Sequence, residues 1–66
     1  MTFKEKLIKL RKANALSQEE LAEKIDVSRQ SISKWELGDA IPDSDKIVAL
    51  SNLFGVSTDY LLKRQY

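Results

Sequence analysis

The chain is expected to fold as an all-α protein, a compact bundle of five short helices, and three observations predict this. Hydroxyl or carboxylate side chains suited to helix starts recur along it. Behind each of them the apolar residues return every three or four positions, a helical period and not the alternation of a strand. One Pro and two Gly are all that interrupt the 66 residues, too few for the turns of a small β protein.

The elements follow in order. Thr2-x-x-Glu5 fits a capping box, in which hydroxyl and carboxylate satisfy the first free amides reciprocally; Phe3, Leu7 and Leu10 line one face of a helix over 3–13. Ser17-x-x-Glu20 is a second capping box, ahead of a helix over 18–25 with Leu21, Ala22 and Ile25 inward. Ser28 is placed as the N-cap of a third helix, 29–36, with Ile32 and Trp35 as its apolar side. Asp43 caps a fourth, 44–54, carrying Ile47, Leu50, Leu53 and Phe54, and Gly55 suits its left-handed end. Ser57 opens a fifth, 58–63, marked by Leu61 and Leu62.

The totals bound what such a bundle can do. Residues 1–66 read as a single domain, or as the N-terminal part of a longer protein, with the terminal KRQY as the start of a linker. Cys and His are both absent, which removes disulfides, zinc sites, thiol nucleophiles and histidine bases together. No Gly-rich phosphate loop or nucleophile–base pair stands in their place, and the carboxylates fall at helix starts, where capping explains them, and on exposed faces. No catalytic residue, metal ligand, cofactor or small-molecule substrate is expected. The longest apolar run, Ile47 to Leu50, is far short of the ~20 residues that span a bilayer, and the N-terminus lacks a signal-peptide block. A cytoplasmic protein with no membrane partner is the expectation. Net charge is +1, but residues 1–37 hold eight Lys and Arg against six acids. That lean favours an anionic partner; a solvated mixed-charge surface accounts for it equally well.

Helices two and three are separated by Asp26, Val27 and Ser28 alone. So short a link cannot lay them antiparallel, and they should cross steeply as a helix-turn-helix. Asp26 is the candidate for a positive φ in that turn, because its short side chain can bond locally, and Val27 would then point inward. On the third helix, at about 100° per residue, Arg29, Gln30, Ser33 and Lys34 share one arc with Leu37 near its middle. Ile32 and Trp35 lie opposite, and Glu36 sits at the border. Such a front suits base-pair edges: Arg can grip guanine O6 and N7 bidentately, Gln can do the same to adenine N6 and N7, and serines keep the helix slim. An ordinary solvated helix face is the competing reading, against which three serines argue, since Ser is a poor helix former.

The stretch L-S-Q-E-E-L-A-E-K-I-D-V-S-R-Q-S-I-S-K-W-E-L-G, residues 16 to 38, resembles the DNA-binding domain of the phage-repressor-like (Cro/repressor type, Xre) helix-turn-helix family. The likeness extends to the Arg11 region, to P-D at 42–43 and to V-S-x-D-Y-L-L at 56–62, and so covers nearly the whole chain. It implies a lambda-repressor-like five-helix bundle and a sequence-specific double-stranded DNA-binding regulator of bacterial or phage origin, foremost a repressor. Arg29, Gln30, Ser33 and Lys34 then correspond to base contacts. Gln18, Ser28 and Ser31 correspond to phosphate contacts, with Gln18 also bracing a base-reading side chain. Arg11 and Glu36 match an internal salt bridge joining helix one to the end of helix three, and Trp35 matches core. The family pairs through its last helix, which implies a homodimer on a palindromic site through Val56, Thr58, Tyr60 and Leu61, with Tyr66 as a further aromatic.

Two departures stand out. Asp26 replaces the commoner turn glycine. The segment Gly38 to Asp43 has no Lys or Arg, where relatives often hold the phosphate backbone. Fewer phosphate contacts predict weak binding by one domain and a shallow salt dependence, at ~0.9 per phosphate neutralised, with pairing supplying the useful affinity. The alternative function is a protein-interaction adaptor on the same fold, which should lack a usable basic front.

Overall fold

A computed structural model describes residues 1–63. Its five helices are α1 (Phe3–Ala13), α2 (Gln18–Lys24), α3 (Arg29–Leu37), α4 (Ser44–Phe54) and α5 (Thr58–Leu62), within a residue or so of the expected boundaries. The N-caps explain the agreement. Ser17 Oγ accepts from the Glu20 amide at 3.0 Å while Glu20 accepts from the Ser17 amide at 2.9 Å. Ser28, Asp43 and Ser57 accept from the amides of Ser31, Lys46 and Tyr60. At Thr2 both the amide and the hydroxyl donate to Glu5, each at 2.9 Å. Each amide contact offsets one of the donors left free at a first turn, and the Thr2 hydroxyl braces the Glu5 carboxylate.

The other ends share one device. α1 to α4 are each followed by a residue with positive φ: Ala15 at 56°, Asp26 at 59°, Gly38 at 82° and Gly55 at 66°. In each case the next amide reaches back five residues: Leu16 to the Arg11 carbonyl, Val27 to Ala22, Asp39 to Lys34 and Val56 to Ser51, at 2.9–3.1 Å. This is the Schellman closure, which favours an apolar residue just past the reversal. Leu16, Val27 and Val56 fill that role and pack on the core. Asp26 and Gly55 were the residues expected to turn left-handed. Ala15 had no such signal, and it adopts the conformation because Leu16 has to be delivered inward.

The core comprises Leu7, Leu21, Ala22, Ile25, Ile32, Trp35, Ile47, Leu50 and Leu61, with Phe3, Leu10, Leu53 and Phe54 packed around it. α2 packs on α3, α1 on both α3 and α5, and α4 on α5. Leu61 is wholly buried while Leu62 is 56% exposed. Leu61 therefore cannot belong to a pairing surface, contrary to expectation: α5 turns it into the bundle and leaves its neighbour outside. Tyr66 lies outside the described residues.

Two lysines are used in ways their sequence context did not suggest. Lys6 is 1% exposed; its ammonium donates to the carbonyl of Tyr60 at 2.5 Å and to that of Lys63, and lies 4.8 Å from the Tyr60 ring centroid. It thus takes up two of the carbonyls that the end of a helix leaves unpaired, while its stem packs as an apolar chain. Lys46 Nζ likewise donates to the carbonyl of Ile25, at the end of α2, at 3.1 Å. No helix of the described residues is long and apolar enough to cross a membrane.

Candidate nucleic-acid interface

α3 is held by its back. Ile32 is fully buried and Trp35 is 7% exposed, both packed where α1 and α2 meet α3. Its front carries the residues singled out above: Arg29, Gln30 and Lys34 are exposed, and Ser33 is half-buried. Leu37, 65% exposed, closes the same arc at the last turn. Among the described residues the ion pair is Arg11–Glu36, so the guanidinium of Arg29 and the ammonium of Lys34 stand without an internal counter-charge. Lys6 and Arg11, by contrast, are engaged inside the fold. Lys4, Lys9, Lys12 and Lys24 are exposed as well, so the basic lean of the first half is spread over α1, α2 and α3, and Arg29 and Lys34 are its share on the α3 front.

A buried polar network fixes the angle at which α3 is presented. Arg11 Nε donates to Glu36 Oε2 at 2.6 Å and Arg11 Nη2 to Glu36 Oε1 at 3.1 Å, a forked contact, while Arg11 Nη1 donates to the Leu16 carbonyl at 2.9 Å. The hydrogen bond to Glu36 raises the Arg11 pKa above its ordinary value against the opposing effect of burial. The two side chains are 14% and 6% exposed. Bidentate geometry of this kind adds direction as well as strength, and it ties α1, the α1–α2 loop and the end of α3 together.

Gln18, the first residue of α2, joins this network: its Nε2 donates to Glu36 Oε1 at 3.0 Å. No hydrogen bond among the described residues links Gln18 to Arg29 or Gln30. Nothing in the sequence pattern announced the Gln18–Glu36 contact, which spans eighteen positions. Ser28 and Ser31 lie one turn apart with their hydroxyls 3.1 Å from each other. The arrangement offers donors and acceptors on a narrow, firmly seated helix, with a guanidinium and an amide at its first turn.

Comparison with known proteins gives a consistent picture. A family model described as "Helix-turn-helix" matches residues 7–61. An HTH-type transcriptional activator, BcrR of Enterococcus faecalis, is 47% identical over 62 residues, covering 94% of this chain and 30% of that protein. The SPbeta prophage-derived uncharacterized HTH-type transcriptional regulator YonR of Bacillus subtilis (strain 168) is 44% identical over 61 residues, 92% of this chain and 56% of its own. The chain thus spans about half or less of the length of these curated relatives. Among solved structures, the P22 c2 repressor protein in complex with synthetic operator 9T superposes with a TM-score of 0.91 at 33% identity, covering 96% of both chains. A transcriptional regulator from Listeria innocua superposes with a TM-score of 0.89 at 28% identity, over 98% of this chain and 61% of that one.

Proposed function

This chain belongs to the helix-turn-helix family, and on that premise we propose that it binds double-stranded DNA sequence-specifically as the DNA-binding part of a cytoplasmic bacterial or phage transcriptional regulator. One observation carries the reading: the arc of α3 opposite Ile32 and Trp35 stands clear of the bundle, with Arg29, Gln30 and Lys34 exposed. α3 enters the major groove by its N-terminal turn, so that Arg29 and Gln30 reach base edges deepest, with Ser33 and Lys34 beside them. Gln18, Ser28 and Ser31 contact phosphates and set the register without reading sequence. Repression follows from occupying promoter DNA. No step of bond chemistry is assigned to the protein.

Two copies pair on an approximately palindromic site, with recognition helices one DNA turn apart, ~34 Å. In support, Val48 (48% exposed) and Leu62 (56% exposed) flank a shallow apolar groove with Pro42, Ile47 and Thr58 between α4 and α5.

The test is selection of bound duplexes from a random pool at two salt concentrations, followed by Arg29→Ala on the selected site. That substitution should weaken binding by about 1–3 kcal/mol and relax preference at one base pair. Lys24→Ala, beside Glu20 and Glu23 on the outer side of α2, should change little. Equal losses from both variants on every sequence would leave charge attraction alone. Failure to enrich any duplex would favour the adaptor reading.

A further inference from the structure

We infer that Glu36 is a positioning residue for DNA recognition, acting through the side-chain amide of Gln18; this deepens the reading of α3 as a groove-reading helix and rests on it. A carboxylate can only accept hydrogen bonds, whereas an amide side chain has a donor end and an acceptor end of nearly the same shape. The Arg11 fork holds both oxygens of Glu36 in one plane at 2.6 and 3.1 Å, and the Glu36 side chain is 6% exposed. It cannot swing aside. Gln18 meets it at 3.0 Å, so the amide has to turn its nitrogen inward, because the opposite flip would set oxygen against oxygen.

Glu36 thereby selects one of two near-isosteric orientations of Gln18. One hydrogen of the Gln18 nitrogen is taken by Glu36, which leaves the second free to donate to a phosphate oxygen. The carbonyl oxygen remains to accept from a donor of the recognition turn. A glutamine at position 36 that keeps its oxygen on Arg11 Nε turns its own nitrogen toward Gln18, and so favours the flip that offers a phosphate an oxygen. The residue at the end of α3 that touches no DNA thus decides what the first residue of α2 presents to it.

The experiment compares Glu36→Gln, Gln18→Ala and the double variant on the duplex selected from a random pool. Removing a negative charge would by itself tighten binding to a polyanion. The inference requires the opposite sign: Glu36→Gln weakens binding roughly tenfold or more, the loss of a hydrogen bond to a charged group. The salt slope stays at its wild-type value, because no cation is removed from the interface. Gln18→Ala weakens binding to a similar extent, and the two losses do not add in the double variant. Thermal unfolding followed through Trp35 checks that each variant is folded at the assay temperature. Should Glu36→Gln not fold, the wild-type protein still decides: its Gln18 amide protons, assigned by their loss in Gln18→Ala, should show one protected from exchange before duplex is added and the other shifting on binding. Tighter binding by Glu36→Gln, additive losses, or two equivalent and freely exchanging amide protons would overturn the inference. If the wild type enriches no duplex, the reading of α3 fails with it; if it does and Gln18→Ala binds that duplex equally well, this inference alone fails.

Discussion

Replacing Ala15 by glycine should make the protein more stable, although glycine inside a helix is ordinarily a loss. Ala15 has a φ of 56°, in the left-handed region where an L-residue with a Cβ is disfavoured by roughly 1–2 kcal/mol. Glycine relieves that strain, but it also frees the unfolded chain, an opposing effect of about 0.4–1 kcal/mol. The Ala15 methyl is exposed, so its removal leaves no cavity. The Leu16 amide keeps its bond to the Arg11 carbonyl at 3.1 Å, and Leu16 keeps its place on the core. The net is a gain of about 0.5–1 kcal/mol, which in a domain of this size raises the unfolding midpoint by about 2–8 °C. Reversible thermal unfolding followed by circular dichroism measures it, with a urea titration as a second determination. Gly38→Ala supplies the opposite sign, because φ is +82° there and the added Cβ would meet Lys4 Cδ at 3.1 Å. A lower midpoint for Ala15→Gly would refute the argument that the left-handed end of α1 is strained.

Other substitutions test other parts of the fold. Lys6→Met keeps the apolar stem but orphans the Tyr60 and Lys63 carbonyls; urea unfolding should show a loss of about 2 kcal/mol, with exchange protection falling first in α5. Leu61→Ala should lower stability by about 2–5 kcal/mol. Leu62→Asp should shift stability by no more than about 0.5 kcal/mol while weakening pairing in analytical ultracentrifugation and on a two-half-site duplex. The Glu20 pKa is held below its ordinary 4.5, first by the Ser17 amide and then by the Ser17 hydroxyl. Its stabilising effect is therefore full above the unfolded value and is lost as pH falls through the lowered folded one. The fall in stability below about pH 4.5 should be shallower in Glu20→Gln, as acid titrations of both proteins would report.

How much of this was legible beforehand depends on the reach of each interaction. Ser17 and Glu20 satisfy each other across three positions, Ser28 and Ser57 do likewise with the amides three residues on, and Ile32 and Trp35 share a face of one short helix. Each of these can be read from neighbours in the chain, because hydroxyl capping and helical periodicity are local. The same locality made the α3 front legible: once Ile32 and Trp35 point inward, the geometry of the helix leaves Arg29, Gln30 and Lys34 outward. The sequence by itself therefore determined five helices, their starting points, the left-handed turn at Asp26 between α2 and α3 and the composition of the exposed arc.

Tertiary structure decided the rest. That Lys6 would be buried depended on carbonyls 54 and 57 residues away, and that Gln18 would turn its nitrogen inward depended on Glu36 being pinned by Arg11. Whether Leu61 or Leu62 faced the core was set by the angle at which α5 docks on α1 and α4. Ala15 accepted a left-handed conformation because burying Leu16 outweighs the local strain. A lone ammonium or amide has no preferred partner within its own helix, so its place is settled only when packing brings a distant group of opposite character within hydrogen-bonding reach.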